Sequence, residues 1–302
     1  MTEIADLLLR ANVVGAAAVI AVLVLRLPVR AALGPEAAYR LWGAPPLAIL
    51  ACLLPFKVAP VGTAALARLT PEHAAPILLG VWLAGAAVAV ALLGRAQAVF
   101  LKAARKGLAG PAVVGVINPR ILMPPDDGRY SQAERDLIRA HEREHIRRED
   151  HRAGALMALF QCLAWFNPLA HLAAHKARLD QELACDAAVL RRRPKDRALY
   201  ARTLLKTQLA GAALPLGCYW PARAKHPLEL RVELLRRGTR DGGLAGSLTI
   251  AAGLFTAAAL ATAAEPPLRY TPPDPIGIYD QQPPNGQMSV MLVTWKTSPA
   301  HR

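Results

Sequence analysis

The chain has 302 residues, 54% hydrophobic and 5% aromatic, with four cysteines and a formal net charge of +14. That apolar fraction is too high for an ordinary soluble domain, while 19% charged residues are too many for a pure membrane bundle. Two parts are therefore expected. Cys52, Cys162, Cys185 and Cys218 contain no CxxC pair, which argues against a disulfide framework or a Cys-ligated metal; they read as small apolar fillers. The charge is concentrated, with 27 Lys and Arg against 15 Asp and Glu between Arg95 and Asp241. Apolar runs bound that segment and no recognition helix accompanies it. Direct nucleic-acid binding is therefore not expected, and the charge fits the positive-inside bias of cytoplasmic segments.

A hydrocarbon layer of about 30 Å takes about 20 apolar residues of helix. Four runs approach this, at about 7–27, 40–56, 74–94 and 242–264. Glu3 and Asp6 precede the first and Arg26 and Arg30 follow it, the reverse of a secretory signal, so an anchored helix with its N-terminus outside is expected. Alternation then gives a membrane domain with three spans over 1–95, a cytoplasmic domain over 96–241, a fourth span over 242–264 and an extracytoplasmic Pro-rich tail over 265–302. Both termini lie outside, and membrane lipid is a constant partner.

The cytoplasmic segment opens with PAVVGVINPRILMPP, two β-branched runs around Asn118-Pro119 that read as a hairpin or edge strand. It then turns helical. Ser131 and Glu134 form a capping box, so a helix should start near Gln132. On it Leu137, Ile138, His141, Glu142, His145 and Ile146 share one side. Histidines one turn apart can offer two imidazole nitrogens to one Zn²⁺, with Glu142 placed as general base for the water that the ion activates.

A third ligand must decide whether HEREH is a metal site. His151 matches the spacing HExxHxxGxxH, but Arg148 stands where that pattern has a helix-ending glycine. On an unbroken helix His151 lies about 80° around and about two turns beyond His141, out of reach. Glu182, in KARLDQELACDAAVL, is the better candidate. Leu179, Glu182, Leu183, Asp186 and Leu190 recur at helical spacing, so a second helix presents Glu182 and, one turn later, Asp186. A His₂Glu set leaves a position open for water, and Asp186 can accept a hydrogen bond from a ligand histidine and fix its tautomer. Between the two helices, GALMALFQCLAWFNPLAHLAA must not cross the bilayer, or His145 and Glu182 would be parted. Gln161, Asn167-Pro168 and His171 interrupt it, so buried or interfacial helices close to the membrane are expected.

HEREHIRREDH, the FNP segment, QELACDAAVL, VVGVINPRILMPP and YARTLL together resemble the BlaR/MecR-type bacterial membrane zinc metallopeptidases, whose members relay envelope signals by cleaving a cytoplasmic repressor. The resemblance implies a mainly α protein: four transmembrane helices, with a cytoplasmic gluzincin-like α+β metalloprotease domain between helices 3 and 4. It implies His141, His145 and Glu182 as ligands of one zinc ion, Glu142 as base, and substrate addition along the VVGVINPRILMPP strand. It also implies a bacterial plasma membrane location and a winged-helix repressor as a possible substrate. Antibiotic-sensing members carry a penicillin-binding domain after the last span; here only the tail follows Ala264, without a serine-acylation motif, so β-lactam sensing is not expected.

Rival readings are a quality-control membrane zinc protease of the HtpX kind and a non-catalytic membrane adaptor with a structural zinc. Intramembrane cleavage is disfavoured by Arg143, Arg147 and Arg148 around the histidines. Tyr200, His171, His175 and Tyr219 could stabilise a developing oxyanion, though packing roles suit them as well. The basic runs Arg191–Arg197 and Leu235–Arg240 read as segments lying against anionic headgroups.

Overall fold

The computed structural model describes residues 2–53, 74–107, 110–123, 125–209 and 226–237. These residues are mainly helical. First come α1 (Thr2–Leu33), α2 (Pro35–Arg40), a 3₁₀ turn (Leu41–Gly43) and α3 (Ala44–Leu53). After them come α4 (Ala75–Arg105), the strands β1 (Ala112–Val114) and β2 (Arg120–Leu122), and α5 (Gln132–Arg147). The series closes with α6 (Asp150–Leu163), α7 (Pro168–Arg192), α8 (Arg197–Leu209) and α9 (His226–Arg237).

Two described helices are long and apolar enough to cross a membrane: Leu7–Leu33 within α1, and α4. Both run past the spans expected at 7–27 and 74–94, because hydropathy marks what can enter lipid while the helix continues for as long as its backbone bonds are satisfied. Their outward faces carry large apolar side chains in the open, Val24 and Ile77 among them, a surface that water alone does not favour. The expected second span enters the described residues through the 3₁₀ turn and α3, which packs on α1. Its remainder, the fourth span and the Pro-rich tail lie outside them.

β1 and β2 form an antiparallel hairpin with Val113 opposite Ile121. Gly115 turns it with φ of 100°, and a Cβ there would stand 2.5 Å from the carbonyl oxygen of Asn118, so only glycine closes this loop without strain. The hairpin packs through Ala112, Val114 and Leu122 on Phe100 of α4. The capping box starts α5 as expected: the Ser131 side chain accepts from the Glu134 amide, and Glu134 accepts from the Ser131 amide. Leu137 of α5, Val189 and Leu190 of α7, Tyr200 and Leu204 of α8 and Leu235 of α9 then form the core that holds these four helices together.

The apolar stretch after the histidines is a helical hairpin. α6 leads away from the site and α7, capped by Asn167, leads back. Its tip packs on the N-terminal halves of both long apolar helices: Asn167 donates to the Asn12 side chain at 2.9 Å, and Trp82 donates to the Leu163 carbonyl at 2.7 Å. Trp165 fills the space beside Gly85, where a Cβ would come within 2.1 Å of its ring. The stretch returns to the side from which it started, and that return is what lets residues before and after it meet.

Candidate metal centre

α5 and α7 cross so that HEREH faces ELACD. His141 Nε2 and His145 Nε2 lie 3.1 Å apart, with a Glu182 carboxylate oxygen 3.4 Å from the first and its other oxygen 3.6 Å from the second. Two ligand atoms each 2.0–2.1 Å from a tetrahedral ion are about 3.3 Å apart, close to the separation of the two Nε2 atoms and to that of His141 Nε2 from the nearer carboxylate oxygen.

The opposite ring nitrogens are committed elsewhere. Tyr200 Oη is 2.7 Å from His141 Nδ1 and donates its own proton to Asp186 at 2.7 Å, so it accepts from His141. His145 Nδ1 is 2.8 Å from Asp150 Oδ2, a carboxylate oxygen that can only accept. Nδ1 of both imidazoles therefore carries a proton and Nε2 of each points at the common point, which makes Nε2 the atom a metal would take. Asp186 was expected to take a ligand histidine's N–H directly. It lies 3.4 Å from His141 Nδ1 and works through Tyr200 instead. Its carboxylate is completely buried and is held by Arg231 of α9 through bonds of 2.7 and 2.8 Å.

Charge follows this geometry. Burial opposes ionisation of Glu182, but Arg231, 3.1 Å away, and the two imidazoles hold its pKa well below the usual carboxylate range. Burial also opposes charge on the imidazoles; Cys185 and Glu182 outweigh it, raising His145 and pushing His141 up to about 10. In the absence of an ion these rings hold a second proton, which a metal would displace on binding. Glu142 is buried close to both imidazoles and to Glu182, and loss of water pushes its carboxyl above the ordinary carboxylate range. That is the property expected of a group that must take up a proton.

Cys185 also belongs to the cluster. Its thiol forms, with His141 and His145, a group whose ligand atoms lie within 4.8 Å of one another. The filler reading fails for this cysteine, which stands one turn after Glu182 on the same buried face. The thiol meets the His141 backbone carbonyl at 3.3 Å and also faces both imidazoles, and the Glu182 carboxylate faces both Nε2 atoms, so sulfur and carboxylate both border the common point.

Residues 103–235 match the family model of the BlaR1 peptidase M56. Over this segment the chain is similar to that family. The matched segment takes in the β-hairpin, HEREH, Glu182, Cys185 and Asp186. Among curated proteins the chain is similar to Regulatory protein BlaR1 of Bacillus licheniformis, 34% identical over 97 residues, which are 32% of this chain and 16% of that protein. The match thus spans about a sixth of the relative's length. No solved structure matches the chain.

His151 stands apart from the cluster. The unbroken helix assumed for it does not exist: α5 ends at Arg147, and Glu149 adopts a left-handed φ of 60° before α6 begins. The break swings α6 away, and both His151 ring nitrogens are buried without a hydrogen-bond partner. Of the proposed oxyanion donors, Tyr200 is occupied in orienting His141, and His171 donates to the Trp165 carbonyl at the hairpin tip. Tyr219 lies outside the described residues. Asp150, Arg231 and Tyr39 play no part in the sequence reading; a carboxylate directly after the helix break was the available signal for the first.

Proposed function

We propose that the chain is a membrane-anchored zinc endopeptidase that cleaves a cytoplasmic protein, a transcriptional repressor of the winged-helix kind being the leading substrate, in envelope signalling. The observation that carries this is the convergence of two Nδ1-protonated imidazoles and one ionised carboxylate, with a buried, proton-accepting Glu142 beside them. His141, His145 and Glu182 would hold one Zn²⁺. When bound, the ion supplies Lewis acidity to a peptide carbonyl and to water. Glu142 takes the proton of the attacking water and delivers it to the leaving amine. Tyr200, Asp186 and Arg231 keep His141 oriented, and Arg231 keeps Glu182 ionised. The name of the matched relative, a regulatory protein, supports the signalling role, and the two long apolar helices with a basic segment after them support four spans with the peptidase domain on the cytoplasmic face of a bacterial plasma membrane.

The test compares the cytoplasmic proteome of cells carrying the wild-type chain with that of cells carrying Glu142→Gln. One or a few fragments that need the glutamate are expected. Identical proteomes would refute the peptidase reading, and broad loss of misfolded proteins would redirect it to quality control. Cys185 favours a second reading, a non-catalytic adaptor whose zinc is closed off by four protein ligands; such a protein would bind zinc and hydrolyse nothing.

A further inference from the structure

The two histidines are oriented from opposite sides of the molecule. His141 leans on Tyr200 and, through it, on Asp186 and Arg231, all from α7, α8 and α9. His145 leans on Asp150, the first residue of α6, and the other oxygen of that carboxylate accepts from Tyr39 Oη at 2.9 Å. Tyr39 belongs to α2, the short helix after the long apolar α1.

α2 is not a loose connection. Arg26, near the end of α1, donates to both oxygens of Asp180 at 3.0 and 2.9 Å, and Trp42 adds a bond of 2.9 Å to the same fully buried carboxylate. Arg191 at the far end of α7 bonds Glu36 at 2.6 Å. The Arg148 guanidinium lies 4.7 Å over the Tyr39 ring. Asp150 is nearly completely buried, so no bulk water stands ready to replace the tyrosine. Burial and the neighbouring Asp150 raise the pKa of Tyr39 far above its usual value, so its hydroxyl stays a donor.

We infer that Tyr39 is a positioning residue for His145, and that the relay Tyr39–Asp150–His145 is the route by which the placement of α1 and α2 sets how firmly the site holds its metal ion. The inference rests on the metallopeptidase reading. Movement of α1 relative to the peptidase helices would first break the Tyr39 bond, leave one Asp150 oxygen buried and unpaired, and free the carboxylate to turn away from His145. A change on the membrane side would thus reach a ligand without any contact between the signal and the metal.

The experiment uses the full chain in lipid nanodiscs, loaded with Zn²⁺ for release to a chelator and with Co²⁺ for its visible spectrum. Loss of a group that orients a metal ligand weakens metal binding by about 10–100-fold, and Tyr39 stands one bond further out, so Tyr39→Phe should release zinc about 10-fold faster. Asp150→Asn should release it faster still, both variants should alter the cobalt spectrum, and Glu36→Gln, which removes one exposed ion pair but leaves α2 anchored through Asp180 and Tyr39 in place, should do neither. Linkage requires the reciprocal effect, so zinc should slow hydrogen exchange in residues 35–40 of the wild-type chain; this measurement decides the matter if Tyr39→Phe fails to fold. Wild-type release and spectrum in folded Tyr39→Phe, equal effects in Glu36→Gln, or exchange in α2 indifferent to zinc would overturn the relay while leaving the metal site in place. A wild-type chain that binds no zinc would overturn the metallopeptidase reading itself.

Discussion

Replacing Arg231 with methionine probes the least replaceable contact around the site. Its guanidinium makes two bonds to Asp186, whose side chain is 0% exposed, and one ion pair of 3.1 Å to Glu182, while only 7% of its own side chain is exposed. Methionine fills much of the volume but leaves Asp186 with the Tyr200 hydroxyl alone. Removing one partner of a buried ion pair costs about 3–5 kcal/mol, because the remaining charge has no compensation. For a domain of this size each kcal/mol lowers Tm by about 2–4 °C, so a fall of about 10 °C is expected. The measurement is thermal unfolding of the metal-free chain in nanodiscs, followed by intrinsic fluorescence. Adding Asp186→Asn to Arg231→Met removes the stranded charge and should recover part of the loss, although Asp186→Asn alone destabilises. Zinc retention should also weaken in Arg231→Met, first at mildly acidic pH: Glu182 is held ionised by Arg231, its ionised form is lost as pH falls through its depressed pKa, and without the arginine that loss begins at higher pH. A Tm shift below about 2 °C, or a double variant no more stable than Arg231→Met, would refute the reasoning.

Three further outcomes follow from the same geometry. Glu182→Gln should lose zinc to a chelator at least about 10-fold faster than wild type, whereas Cys185→Ser should stay within about 3-fold; reversed effects would assign the third position to sulfur. Because burial raises the pKa of Glu142, its base form disappears as pH falls through that raised value, so the acidic limb of the pH–rate profile should lie above the ordinary carboxylate range. Glu142→Gln should keep zinc and show no hydrolysis at any pH. Gly115→Ala places a Cβ 2.5 Å from the Asn118 carbonyl at a φ of 100°, a strain of about 1–3 kcal/mol, and should speed hydrogen exchange across residues 112–122 while leaving zinc retention unchanged.

Local chemistry made part of the site legible. Ser131 and Glu134 cap a helix three residues apart, and histidines at i and i+4 must share a face, so the pair at 141 and 145 could be read from spacing alone. Glu182 and Asp186 follow the same helical rule on α7. Periodicity says which residues share a face, but not which distant element will meet that face. Tyr39 and Asp150 are 111 positions apart and Arg231 and Asp186 are 45 apart, and neither pairing leaves a trace in spacing. The break at Glu149 leaves no mark in the sequence, because its left-handed turn falls on a residue other than glycine. Hydropathy, likewise, cannot separate a helical hairpin that packs beside apolar helices from a span that crosses; Asn167-Pro168 marked the turn, and the hydrogen bonds to Asn12 and from Trp82 show where its tip lies.

X-ray absorption at the zinc edge of the purified wild-type chain tests the donor set most directly. One zinc per chain is expected, with nitrogen and oxygen neighbours at about 2.0–2.1 Å and no heavier scatterer. A sulfur neighbour at about 2.3 Å would put Cys185 in the coordination sphere and contradict the assignment of His141, His145 and Glu182 as the protein ligands.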